Sequence, residues 1–397
     1  MFAVTVIALA MMCAGCTSWS GASSGAPEST AAAAGPTPTA TYAVTALLVE
    51  SMDTAQIVRG SDGANHVEYN LRLDNGFSGP VTLTSVTVVD PDGHDLMKVD
   101  GARLAAATQS LFAGTSSAVI AASAAAVVEV DLVLPTGKPV PAHVSNQIDY
   151  TLPAGPNAVI VERTQVDGIT VRVDRTSAVQ IAPPLTGNGW LATSACCSPN
   201  LHRDLRLPVN GRRVATPETF AVDWAKVKGD RVYDGSGNTN QEFYGFGASV
   251  LAVADGTVVS AVDGIAESTP FEPKAAESKE SFGGNAVILK IDDGVYAFYA
   301  HLQTGSVTVH VGDEVKTGDV IGKLGNTGPS TGAHLHFGLL DSLDIVTGTS
   351  LPFVLTKATL TGTVDFAAIT GDTLVIAPES RILRKAYPLY ATIVDFE

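Results

Sequence analysis

The chain has 397 residues, with 24 Lys and Arg against 40 Asp and Glu, a net charge of −16; 45% of residues are apolar and only 16% charged. That length and composition suit two folded domains rather than a disordered chain. An acidic chain without a Lys/Arg cluster excludes nucleic-acid binding through phosphates and docking on anionic lipid through a basic patch. Four cysteines are too few for a disulfide scaffold, and no internal apolar run is long enough to span a membrane.

Residues 4–12 form an apolar run of signal-peptide length, ending in Cys13-Ala14-Gly15-Cys16. Small residues followed by Cys resemble the bacterial lipobox, in which the Cys becomes the lipidated N-terminus. The resemblance implies a lipoprotein-type signal over 1–16 and a membrane link only through a lipid on Cys16. The protein would then lie in the cell envelope, on the outer face of the membrane, or be secreted. Cys13 stands where Leu is usual, and the first basic residue is Arg59, which fits a start further upstream. Residues 17–41 are almost all Ser, Ala, Gly, Pro and Thr and read as a flexible tether.

From 42 to 183, short β-rich runs at 67–73, 81–89, 126–134 and 169–173 are separated by turn chemistry such as Asp90-Pro91-Asp92-Gly93. Strands at this spacing predict an antiparallel β-sandwich, immunoglobulin-like in outline. His66, His94 and His143 are scattered beside turn and surface residues and are expected to be solvated. No catalytic constellation stands out, so the region reads as an accessory spacer or binding module.

From 185 to 353, glycines become dense and strand-like runs come in close pairs: 250–253 with 256–261, and 286–291 with 295–301 across Asp292-Asp293-Gly294. Further runs lie at 306–311, 320–324 and 334–340, and 267–281 reads as an inserted polar surface loop. Many short strands with little helical period predict a second antiparallel β domain, making the chain all-β. Residues 354–397 are a C-terminal extension.

His334-Leu335-His336 is the sharpest chemical motif. On a strand, residues i and i+2 share one face, so both imidazoles can serve one centre. Alone the pair is weak evidence and reads better as two partly buried, hydrogen-bonded structural histidines. Its surroundings change that: Ala254-Asp255-Gly256, Gly283-Gly284-Asn285, Tyr299-Ala300-His301-Leu302, Val311-Gly312-Asp313-Glu314-Val315, Gly318-Asp319-Val320-Ile321-Gly322 and Gly325-Asn326-Thr327-Gly328 precede it in order. This series, over about 220–340, resembles the LytM/lysostaphin-type zinc metallopeptidases of the M23 family, cell-wall endopeptidases that cut peptidoglycan peptides.

The resemblance implies Zn²⁺ as cofactor, His336 and Asp223 as zinc ligands, and His301 with His334 as the catalytic pair. The family's H-x-x-x-D motif falls on Thr219-Phe220-Ala221-Val222-Asp223, with Thr219 where the first ligand His belongs. His202, in Leu201-His202-Arg203-Asp204, is the replacement, since some family relatives carry a similar His-Arg pair before Phe-Ala-x-Asp. Two imidazoles and a carboxylate suit Zn²⁺ and leave a fourth position for water. The alternative is a zinc-free module on the same fold that binds or activates other cell-wall hydrolases, favoured by Thr219. Adjacent Cys196 and Cys197 read either as a vicinal disulfide or as a buried pair.

Overall fold

Strand 81–89, Val-Thr-Leu-Thr-Ser-Val-Thr-Val-Val, shows how the N-terminal part is built. Val81, Leu83, Val86 and Val88 are buried, and a register shift between Leu83 and Ser85 keeps Val86 and Val88 on the core side. The Asp90 side chain accepts from the backbone N–H of Asp92 and His94, and Gly93 takes positive φ, turning the chain into strand Asp95–Asp100. In the computed structural model, which describes residues 42–112, 114–155, 158–369 and 371–397, this part forms two five-stranded antiparallel sheets. One contains Leu47–Ser51, Asn65–Asn75, Ala125–Leu134 and Thr108–Ser110, with Gln56–Arg59 beside Asn65–Asn75; the other contains Gln165–Arg172, His143–Thr151, Val81–Val89 and Asp95–Asp100, with Val119–Ile120 beside Val81–Val89. Tyr69, Leu71, Val128 and Leu132 of the first sheet pack with Val86, Val144 and Ile148 of the second in one core. The expected signal, Cys16 and the tether lie outside the described residues. Among the described residues no helix is long and apolar enough to cross a membrane.

One expectation for this part is overturned. His66 is buried, not solvated: its Nδ1 lies 2.9 Å from Asp131 Oδ1 and its Nε2 3.2 Å from Asp62 Oδ2. Burial opposes a charge on this imidazole, but the two carboxylates outweigh it and raise its pKa. His94 and His143 are exposed, as expected.

The remaining chain forms a twelve-stranded sheet, whose main path runs Val179–Ile181, Phe353–Val364, Thr392–Phe396, Gly187–Ser194, Val222–Lys226, Leu335–Leu340, Val295–Leu302, Asn285–Asp292, Gly256–Val262 and Glu314–Val315. The expected hairpin across Asp293-Gly294 is present, with Ile288 opposite Phe298. The stretch 306–311 is not a strand; its Val307 and Val309 pack as partly buried residues against the core while Val311 is exposed. From Phe353 onward the chain supplies Phe353–Val364, Ile376–Ala386 and Thr392–Phe396, all within the same sheet. Strand Val222–Lys226 pairs antiparallel with Leu335–Leu340, which pairs on its other side with Val295–Leu302. This places the His-rich motif at the centre of the sheet.

Candidate metal centre

The register does the first part of the assembly. Asp223 is directly opposite His336, and His336 is opposite Ala300, the neighbour of His301. Directly opposed residues have Cβ atoms about 4.5–5.5 Å apart, so the ladder alone brings the carboxylate to the imidazole. His336 Nδ1 lies 3.0 Å from Asp223 Oδ1. His334, just before the strand begins, puts its Nε2 3.4 Å from the same oxygen.

His202 comes from outside the sheet. It sits in the short helical turn Leu201–Asp204, capped by Asn200, whose Oδ1 accepts from the His202 backbone N–H at 2.9 Å. Its Nδ1 donates to the Ala221 carbonyl at 3.2 Å, which turns Nε2 toward the cleft, 3.1 Å from Asp223 Oδ2. A ligand imidazole whose second nitrogen donates to a backbone carbonyl is the usual supporting arrangement of a metal histidine. Cys196 and Cys197, just before this turn, form a vicinal disulfide.

The donor set fits a zinc ion. One ligand atom from each of His202, Asp223 and His336 can be chosen so that all lie within 4.8 Å of one another. Tetrahedral bonds of about 2.0–2.2 Å put neighbouring ligand atoms roughly 3.3–3.5 Å apart, so small side-chain adjustments suffice. Two nitrogens and one carboxylate oxygen match the ion's preference and leave a position open.

His301 and His334 stand beside these three, their rings 4.9 Å apart. Each is oriented by its Nδ1, which donates to a backbone carbonyl at 2.8 Å: Thr327 for His301 and Gly332 for His334. Each Nε2 is thereby turned away from that carbonyl, and that of His334 lies 3.4 Å from Asp223 Oδ1. His301 takes φ of 59°, an uncommon conformation for a non-glycine residue that recurs at functional sites. A Cβ on Gly284 would collide with the Thr327 carbonyl that orients His301, so only glycine fits there.

These groups polarise one another. For Asp223, burial raises the carboxyl pKa, but His202 and His334 outweigh that and hold it well below the usual range. Burial opposes charge on His202, yet Asp223 prevails and pushes it up to about 9. Burial, with His334 and His336 close by, pushes His301 down to about 3, so it is neutral. His334 is raised, Asp223 again overcoming the effect of burial.

The structure therefore brings together all five residues singled out from the sequence: His202, Asp223, His301, His334 and His336. They line a cleft of about 270 Å³ with Leu201, Glu218, Phe298 and Ser330. Thr219 is not among them. Its hydroxyl donates to the Thr216 carbonyl, and its side chain lines a separate polar cleft of about 420 Å³ with Glu68, Asn70 and Arg203. Tyr299 is fully buried, its hydroxyl accepting from the Val253 N–H, and takes no part in the cleft. Glu218 and the orienting carbonyls of Ala221, Gly332 and Thr327 were not singled out from the sequence. Glu218 has no motif spacing to mark it, and a carbonyl carries no residue signature.

Residues 242–346 match the model of peptidase family M23. The match takes in His301, His334 and His336; Asp223 and His202 lie upstream of it. The chain is 38% identical over 96 residues to glycyl-glycine endopeptidase ALE-1 of Staphylococcus capitis, covering 24% of this chain and 22% of that protein. It is 33% identical over 139 residues to peptidoglycan DD-endopeptidase ShyC of Vibrio cholerae, covering 34% of this chain and 26% of that one. The chain thus spans about a quarter of the length of these relatives. The solved catalytic domain of lysostaphin from Staphylococcus simulans is 28% identical and covers 31% of this chain and 86% of its own, with a TM-score of 0.20, too low for the overlay to carry an argument. By this match, residues 242–346 carry the sequence of a peptidase family M23 domain, similar to the lysostaphin-type peptidases.

Proposed function

We propose that the chain is a zinc metalloendopeptidase that hydrolyses peptide bonds in peptidoglycan, with His202, Asp223 and His336 as zinc ligands and His301 and His334 as the catalytic pair. The observation that carries the reading is the convergence of His202, Asp223 and His336 within 4.8 Å, with two further imidazoles on the same cleft. The zinc would supply Lewis acidity, polarising a scissile carbonyl and bringing the pKa of water toward 7. The rest falls to the protein. His301 and His334, each locked by its Nδ1 bond, offer Nε2 to take a proton from the attacking water, to steady charge on the carbonyl oxygen and to return a proton to the leaving amine. No H-E-x-x-H helix is present in the sequence, so the histidine pair does the work that a glutamate base does elsewhere. The likenesses to ALE-1 and ShyC support peptidoglycan peptides as substrate, and a disulfide at Cys196–Cys197 agrees with an oxidising, extracytoplasmic location.

A zinc-free module that binds or activates other hydrolases is the reading that Thr219 alone favours. The presence of His202 beside Asp223 and His336 counts against it. The two are separated by incubating the purified protein with peptidoglycan and following release of new amino termini. The enzyme reading expects release that stops under chelation and returns with zinc; the absence of release at any zinc level would contradict it.

A further inference from the structure

We propose that the N-terminal sandwich is a working part of the metal centre: Glu68 and Glu129, acting through Arg203, are positioning residues that hold His202 at the zinc site. The inference rests on the ligand assignment above.

His202 and Arg203 are consecutive and point to opposite sides. His202 reaches Asp223 in the cleft, whereas Arg203 enters the sandwich, where its Nη2 lies 2.7 Å from Glu68 Oε2 and its Nε 3.7 Å from Glu129 Oε2. The third arm of the guanidinium, Nη1, donates to the Cys197 carbonyl at 2.6 Å, which ties in the disulfide loop. Arg206 pairs with the same Glu129 and lies 3.6 Å from Asp204, closing the far end of the turn. Both arginines and both glutamates are buried.

The helical turn has little stability of its own. Leu201–Asp204 is a single turn, too short to persist without tertiary support. Two of the three ligands do not depend on it, because Asp223 and His336 are fixed by their ladder in the central sheet. His202 alone is held by what grips its turn. Beyond the Asn200 cap and the Ala221 carbonyl, that grip is a buried Arg–Glu network reaching strands Asn65–Asn75 and Ala125–Leu134 of the sandwich. Glu68 and Glu129 lie on one face of that sheet, since Glu68 is opposite Asp131 and Glu129 is opposite Asn70. Buried charges left unpaired are strongly penalised, so the network tolerates few alternative geometries. Arginine's planar fork can meet two carboxylates and a carbonyl at once, which a lysine ammonium on the same stem does less well.

The test measures zinc affinity by competition with a chelating dye on the full chain, together with the thermal midpoint. Glu68→Gln and Glu129→Gln are compared with Val86→Ala, a core change in the other sheet of the sandwich. His202→Ala is the reference, alone and combined with each glutamine variant. Arg203→Lys is the milder change should the glutamine variants not fold. The expected result is zinc affinity weaker by about 10- to 100-fold in the glutamine variants and weakened in Arg203→Lys. Val86→Ala should match their loss of thermal midpoint without losing affinity, and adding His202→Ala should weaken binding little further. Unchanged affinity in the glutamine variants and in Arg203→Lys, or an equal loss in Val86→Ala, overturns the inference even where His202→Ala weakens binding. Unchanged affinity in His202→Ala itself would instead remove the ligand assignment, and the inference with it.

Discussion

His202 Nε2 lies 3.1 Å from Asp223 Oδ2, although one residue belongs to a helical turn beside the sandwich and the other to a strand of the central sheet. This contact puts an imidazole where the expected H-x-x-x-D motif has only Thr219. It also accounts for why a threonine is acceptable there: the Thr219 side chain faces a different cleft. Thr219→His in a His202→Ala background should therefore fail to restore zinc binding, because the new imidazole would enter the polar cleft near Arg203. Zinc titration of the double variant checks this; recovery of affinity to within a few-fold of the parent would show that position 219 can reach the metal after all.

The catalytic pair should separate from the ligands in a different way. His301→Ala removes a group that is fixed by the Thr327 carbonyl and makes no ion pair with Asp223 among the described contacts. It is expected to keep its zinc while losing about 10²–10⁴-fold in kcat. His334→Ala should lose activity on the same scale. Metal analysis alongside single-turnover kinetics reads both quantities. Loss of zinc from His301→Ala in step with activity would make that residue a ligand rather than an acid–base group.

Much of the sheet was legible because local alternation and turn chemistry agree. Strand 81–89 and the hairpin across Asp293-Gly294 are examples, and both occur where expected. The failures have long-range causes. Val307, Val309 and Val311 alternate like a strand, but only isolated bonds, such as Thr308 N–H to the Ile321 carbonyl, reach the neighbouring chain. His66, Glu68 and Asn70 alternate with Val67, Tyr69 and Leu71, which reads as a wet face and a dry one; in the fold both faces are buried. The His334 and His336 pair was visible from its spacing. His202 stands out through the ligand missing at Thr219 and the His202-Arg203 pair's likeness to family relatives, and nothing local to Leu201–Asp204 shows which way its imidazole points.

The buried His66 gives a pH dependence whose sign is fixed. Its folded pKa is raised, because Asp131 and Asp62 outweigh the effect of burial. The stabilisation is thus fully present below the unfolded value of about 6.5 and is lost as pH rises through the folded value. His66→Gln should cost roughly 1–2 kcal/mol at pH 6, toward the lower end because Asp62 is half exposed, and less at alkaline pH. Denaturant unfolding of both proteins from pH 6 to 9 measures the gap. A gap that widens with pH would mean that His66 is neutral in the folded protein.

The most direct measurement is the coordination of zinc in the full chain, read by X-ray absorption for the wild type and for His202→Ala at one equivalent of metal. The account predicts two imidazoles and a carboxylate in the wild type, and one imidazole fewer, with weaker binding, in the variant. An identical imidazole count in both proteins, or a wild-type chain that takes up no zinc, would contradict it.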